Sequence, residues 1–409
     1  MSRGHERNAS YYETLITKYG PIFKLSRDFR PYIYIGGHER AIMFLRENDD
    51  ALVGAAQPIS ATIPNGFLRY MPASIHSGYR RILQSGFTTD SINEALPFIA
   101  ATIRNALEKI STDCRETSGG KVDFDGYLRD SIFSIVLQAF FGVRRDTPLF
   151  DRMCALHADI DTRTDNCGAE AKRHGAMSEM MSVLRKQFDT YPKEPVASPP
   201  CFLKAMAERN EAASIDATVL GNWVAMVEFA TIDVVGLLRW LLKMLIDHPA
   251  WVNRVRGGPN TGPEHSEPAG TSVVERIVKE TLRLERSEFL TRKATRDIWF
   301  EGYRIPKGWT IRIGIREGNR NPDIFDRPAD FDPDRFLDRE YTLTEFAPFG
   351  LYRHNCIGAE FATAIARIFV TELATGFDLE AGGDWTTEYA PPHWRPCTGY
   401  RIGLKVRAS

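Results

Sequence analysis

The segment "APFGLYRHNCIGAEFA", residues 347–362, sets one cysteine, Cys356, between a turn rich in Gly, Arg and His and the start of a helical pattern. A thiol must ionise before it can ligate a metal, and it does so where positive charge or helix N–H groups stabilise the thiolate. Cys356 stands just ahead of "AEFATAIARIFVTEL", so the free N–H groups and dipole of that helix favour negative charge at its sulfur. Arg353 and His354 add positive charge, and the turn at Phe349-Gly350 can bring further N–H groups near. A single thiolate held in this way suits an axial haem ligand. The remaining cysteines, Cys114, Cys154, Cys167, Cys201 and Cys397, form no CxxC pair and read as inert buried thiols.

Carboxylates raise a second question. Residues 217–247 are apolar around the whole circumference of a helix about 45 Å long at 1.5 Å per residue, the pattern of a helix through a protein's centre. Glu228, Asp233, Arg239 and Lys243 interrupt it and make it a poor bilayer span. A carboxylate inside such a helix is costly unless it is paired, so Glu228 and Asp233 each need a partner or a chemical task. At about 100° per residue the two lie about 140° apart and share no face.

The elements that must position these groups are mostly helical. Periodicity predicts helices at 9–19, 38–47, 76–86, 91–112, 126–141, 147–158, 168–190, 201–210, 217–247, 271–285 and 358–374. Strand-like runs are few: "IFKL" and "YIYIG" near the start, "IWFEGYRIPKGWTIRIGI" at 298–315, read as a hairpin, and "TGYRIGLKV" at the end. They predict one small sheet assembled from distant segments. Net charge is −1, so nothing global points to nucleic acid. The polar N-terminal stretch has no apolar signal region, and a cytoplasmic protein with no membrane span is expected.

The Cys356 stretch resembles the haem-binding loop of the cytochromes P450, F-G-x-G-x-H/R-x-C-x-G, with Phe349, Gly350, His354, Cys356 and Gly358 in register and Tyr352 where the second glycine usually stands. "KETLRLERS" holds Glu280-x-x-Arg283, and "FDPDRF" resembles the family's meander, with Arg335 completing the Glu280–Arg283 network. "SIHSGYRRILQSGFT" and "RKATRD" resemble the segments whose His76, Arg80 and Arg292 would bind haem propionates together with His354. These motifs follow the family's order from about residue 12 to the C-terminus, closest to the soluble, bacterial-type members. The resemblance implies a mainly α fold over a single domain, 1–409: a helical prism with a small β-sheet subdomain and haem b buried in it. Cys356 would then be the iron ligand.

The resemblance also marks a departure. Counted back from Pro249, Asp233 falls where the family usually has a threonine above the iron, and Ile232 where it has an acid; Thr231 is the only nearby hydroxyl in the helix. Asp233, with Thr231, is therefore the candidate for moving protons toward the iron. Alternatively, Asp233 binds a cationic group of the substrate or is structural. The implied function is a monooxygenase that inserts one oxygen atom of O2 into a small organic substrate, with electrons from NAD(P)H through an external ferredoxin-type partner. Arg69, Arg81 and Arg353 are candidates to dock that acidic partner. Alternatives are a peroxide-driven or otherwise non-standard P450 and a non-catalytic haem-binding sensor. By the same resemblance, Phe67, Phe229, Glu288, Phe289 and Trp394 would contact substrate, and the protein is expected to be monomeric.

Overall fold

The computed structural model describes residues 10–27, 30–54, 62–160, 169–190, 200–211, 214–257, 272–285, 289–337, 339–382, 386–390, 393–396 and 400–407. Helices follow in chain order as α1 (Tyr11–Tyr19), α2 (His38–Glu47), α3 (Ala73–Gln84), α4 (Thr89–Glu116), α5 (Asp125–Phe141), α6 (Pro148–Ile160), α7 (Ala169–Thr190), α8 (Phe202–Arg209), α9 (Ala217–Asp247), α10 (Pro249–Arg256), α11 (Val273–Glu285) and α12 (Ala359–Gly376). Strands are β1 (Ile22–Arg27), β2 (Arg30–Ile35), β3 (Leu52–Gly54), β4 (Val122–Asp123), β5 (Phe289–Ala294), β6 (Ile298–Phe300), β7 (Tyr303–Ile305), β8 (Thr310–Gly314), β9 (Phe377–Ala381), β10 (Thr387–Ala390), β11 (His393–Pro396) and β12 (Arg401–Val406).

Helix α9 organises the fold. Asp216 caps it, accepting from the Val219 amide at 2.9 Å. Most of its apolar circumference is buried, Ile232 excepted, and α5, α7, α11 and α12 pack on it. Arg239 is not left alone: its Nε donates to Asp125 of α5 at 2.6 Å. The helix ends at His248, because Pro249 opens the short helix α10, which periodicity had not marked.

The strands correct the sequence reading twice. The run 298–315 is not one hairpin. Glu301 and Gly302 both adopt positive φ (43° and 80°), the requirement of a tight two-residue hairpin turn, and they close β6 on β7 with Ile298 opposite Ile305. The chain then turns again at Gly308 (φ 84°), so β8 leaves the hairpin to pair in parallel with β2 and antiparallel with β5. Nor is there one sheet. The order β1-β2-β8-β5-β3 forms the larger sheet, while the C-terminal strand β12 pairs with β9 and β4 in a separate one.

An ion-paired node ties α11 to the chain that follows the sheet. Glu280 and Arg283 have no exposed surface. Arg283 Nε and Nη2 donate to the two Glu280 oxygens at 2.7 and 2.8 Å, and Arg335 Nε donates to Glu280 at 3.0 Å. The Asp332 amide adds a fourth bond to Glu280 at 2.9 Å, and Arg283 Nη1 reaches the Pro328 carbonyl at 2.8 Å. The buried carboxylate thus accepts four hydrogen bonds, three of them from guanidinium groups, which a pair at this spacing on an ordinary surface helix would not need.

Candidate functional site

Segments distant in sequence converge on a cavity of about 200 Å3. The loop 63–70 contributes Phe67, Leu68 and Arg69, and α3 contributes His76 and Arg80. From α9 come Met226, Phe229, Ala230, Asp233, Val234 and Leu237; from β5, Phe289 and Leu290; and from the segment before α12, Phe349, Gly350, His354 and Cys356. The α9 residues recur every three or four positions, so one helix face lines the cavity. That periodicity was available in the sequence and would have added Met226, Ala230, Val234 and Leu237 to the expected contacts.

The cysteine loop is shaped by backbone. The Cys356 amide donates to the Phe349 carbonyl at 2.8 Å, and Gly350 takes φ 91°. Tyr352 takes φ 59°, the left-handed conformation that a glycine adopts at little cost. The turn is therefore kept without the glycine. The Tyr352 ring packs on the core cluster that contains Leu351, and the Arg353 guanidinium lies 5.2 Å from its centroid. The Cys356 side chain opens onto the cavity. Enclosure by protein pushes its thiol up, as does the charge of Asp233, while the Gly358 N–H, Arg69 and Arg80 pull it down.

Beside the cysteine lies a cluster of donors that lack acceptors. The His76 and His354 rings meet at 4.1 Å between centroids. His76 Nδ1, His354 Nδ1 and Arg292 Nη2 are buried with no hydrogen-bond partner, and no carboxylate among the described residues lies within ion-pair distance of these three side chains. Burial, reinforced by neighbouring arginines, holds His354 down to about 2, His76 to about 4 and Arg292 to about 10. Arg80 is committed differently: Nη1 donates to the Arg353 and Asn355 carbonyls at 3.1 and 2.8 Å, which fastens α3 to the cysteine loop. Orphaned ring nitrogens of His76 and His354, beside the Arg292 guanidinium, fit a ligand that brings two carboxylates to them, as haem b does.

Other expected residues fall as follows. Phe67 stacks on Phe229, centroids 4.8 Å apart and planes at 17°, and Phe289 also lines the cavity. Asp233, half-buried, lines it one turn from Phe229. Thr231 is not brought in: it is buried, and its hydroxyl donates to the Val227 carbonyl of its own helix at 2.7 Å. Glu228 faces elsewhere, with His157 Nε2 of α6 2.7 Å from its Oε2. Glu288 and the Trp394 side chain lie outside the described residues. Arg69 is exposed and lines the cavity, whereas Arg81 lies with Arg80 and Arg353 on a separate concave surface.

A family model of cytochrome P450 matches residues 161–390. Abscisic acid 8'-hydroxylase 2 of Arabidopsis thaliana is 25% identical, over 93% of this chain and 81% of its own length. Abscisic acid 8'-hydroxylase 3 of Oryza sativa subsp. indica is also 25% identical, over 91% of this chain and 78% of its own. Among solved structures, a retinoic-acid-bound cyanobacterial P450 superposes with a TM-score of 0.76 at 22% identity, covering 98% of this chain and 95% of that one. A cytochrome P450 OleT variant in complex with arachidonic acid superposes with a TM-score of 0.75 at 15% identity, with the same coverage. The chain therefore belongs to the cytochrome P450 family: it is a haem-b monooxygenase that takes a small-molecule substrate and works with redox partners.

Proposed function

We propose that Cys356 is the thiolate ligand of the haem iron, that His76, Arg80, Arg292 and His354 hold the haem carboxylates, and that Asp233 handles protons on the α9 side of the cavity. The observation that carries this reading is the juxtaposition, in one apolar cavity, of a cysteine at a helix start with orphaned buried donors on His76 and His354, with the buried Arg292 near enough for its charge to act on both rings. When bound, haem b supplies the iron chemistry that activates dioxygen, and a thiolate ligand favours O–O cleavage. The protein's residues do the rest. Phe67, Phe229 and Phe289 exclude water and orient an apolar part of the substrate. Asp233 can accept and return a proton inside the cavity, where the apolar surroundings strengthen its field. Thr231 takes no part in this scheme, because its hydroxyl is committed to Val227.

Electrons come, in this reading, from NAD(P)H through an acidic ferredoxin-type protein. Support comes from a concave surface lined by Ser77, Arg80, Arg81, Gln84 and Arg353 next to the cysteine loop. Arg353 is partly neutralised by Asp49 at 3.0 Å, so Arg81 is the principal docking charge. Among the described residues no helix is long and apolar enough to cross a membrane. We place the protein in the cytoplasm as a monomer, one P450 domain over residues 1–409. The relatives named above hydroxylate abscisic acid, and the aromatic lining here suits a substrate of comparable apolar bulk bearing a polar group. Turnover of a substrate panel with ferredoxin, reductase and NAD(P)H, run beside peroxide alone, tests the assignment. Product only with peroxide would favour a peroxide-driven enzyme, and product with neither would favour a haem sensor.

Asp233→Asn keeps the volume and removes the base. Substrate should still bind and shift the haem spin state, while product formation falls by about 10²-fold and peroxide is released. Weakened binding with coupling intact would instead pair Asp233 with a cationic group of the substrate.

Haem removal has its own signature. Burial by the protein holds His76 near 4, against about 6.5 when unfolded. Below pH 6.5 the unfolded chain binds a proton that the folded chain does not, so stability present at neutral pH is lost as pH falls toward 4. The haem-free protein should therefore melt at progressively lower temperature from pH 7 to pH 5. Haem carboxylates offset the charge on His76, and the loaded protein should lose less. Parallel slopes in the two forms would remove His76 from the haem clamp.

A further inference from the structure

The loop that carries Phe67 into the cavity is fastened from beneath by one side chain. Asn222 of α9 has no exposed surface. Its Oδ1 accepts from the Leu68 amide at 2.6 Å, and its Nδ2 donates to the Gly66 carbonyl at 3.2 Å and to the Thr218 carbonyl at 2.8 Å. The side-chain amide thus completes the backbone of the loop on both sides of Phe67. Gly66 takes φ 81°, a left-handed turn that brings its carbonyl to Asn222. At Gly221 an added Cβ would come within 3.1 Å of Ile63, so α9 is pared down where the loop rests. Asn65 extends the attachment: Nδ2 donates to the Tyr79 hydroxyl at 2.8 Å and to Thr218 Oγ1 at 3.1 Å, and Tyr79 donates to Asp216, the cap of α9, at 2.7 Å. The loop is therefore held between α3 and the start of α9.

Two helical turns beyond Asn222 on the same face stands Phe229, the ring on which Phe67 stacks. One helix supplies both the anchor for the loop backbone and the surface that receives its ring. Without the anchor, the buried Leu68 N–H would be unpaired, with the half-buried Gly66 C=O beside it, and the Leu68 N–H would recover a partner by moving toward water. Phe67 lies between them and would move as well.

We propose that Asn222 is a positioning residue for the oxidation. It fixes Gly66 and Leu68 so that Phe67 and Phe229 form one rigid aromatic wall, and that wall selects substrates by shape. Neither Asn222 nor the loop hydrogen bonds enter the haem-binding scheme above.

The test uses haem-loaded protein and two nitrogen ligands of haem iron, imidazole and 4-phenylimidazole, titrated by the shift of the haem absorption. Imidazole reports the haem site alone; 4-phenylimidazole also needs a formed aromatic wall. Asn222→Ala should leave imidazole affinity within about twofold and weaken 4-phenylimidazole about tenfold, the equivalent of one lost buried hydrogen bond. Phe67→Ala should give a similar selective loss, and the double variant should bind 4-phenylimidazole no more weakly than Phe67→Ala, because Asn222 acts through Phe67. Equal weakening of both ligands, unchanged binding of both, or additive losses in the double variant would overturn the proposal. Hydrogen exchange of the unaltered haem-loaded protein gives an independent reading: the Leu68 amide should exchange as slowly as the core amides of α9. Fast exchange there would overturn it as well, even if Asn222→Ala gave no haem-loaded protein.

Discussion

Cys356→Ser should abolish the red-shifted Soret band of the reduced carbon-monoxide complex, the spectral mark of thiolate ligation for which the cytochromes P450 are named. Serine is close in size but a far poorer ligand, and its hydroxyl would have to ionise where enclosure already pushes the thiol of Cys356 up. Monooxygenase activity should vanish with the band, while the fold persists, since the Cys356 amide keeps its bond to Phe349 whatever the side chain. Cys154→Ser, at a half-buried cysteine of α6, serves as the control and should keep the band. A normal band in Cys356→Ser would falsify the ligand assignment.

Arg283→Ala should be the most destabilising single change away from the haem. It removes two of the four donors to Glu280 and leaves a carboxylate with no exposed surface only partly compensated. Breaking a buried pair from one side costs about 3–5 kcal/mol. The same change strands the Asn319 and Pro328 carbonyls that Arg283 now satisfies. Chemical unfolding of the haem-loaded protein measures the loss. Arg144→Ala, at an ion pair whose arginine side chain is 61% exposed, should shift the midpoint little. Equal shifts in the two variants would show that the node contributes no more than a surface pair. Replacing Glu280 and Arg283 together by apolar residues should recover part of the loss, because the expensive state is the unpaired charge and not the absence of the pair.

Much of the site was legible in the sequence for local reasons. The apolar circumference of residues 217–247 required a central helix, and the sequence around Cys356 required a turn followed by a helix start; both depend only on neighbours a few residues away. Glu280 and Arg283 share a helix face by spacing alone. What the sequence could not contain was the outcome of packing between distant segments. That the exposed Arg69 also lines the cavity depends on where the loop 63–70 is laid, and Asp233 and Thr231 look equally available until their helix is rotated into place, with Thr231 hydrogen-bonded to Val227 and Asp233 in the cavity wall. Tyr352 breaks the glycine pattern, yet the left-handed turn is kept, with its side chain packed on the core. Strand β8 reads as the continuation of a hairpin, but pairing with β2, far back in the chain, satisfies its backbone. The bond between Asn222 and the Leu68 amide spans 154 residues, and no local window encodes it. The sequence by itself determined the long helices and which residue types are able to do the chemistry. The tertiary structure decided which of those residues meet, because burial and hydrogen-bond completion are satisfied over the whole fold at once.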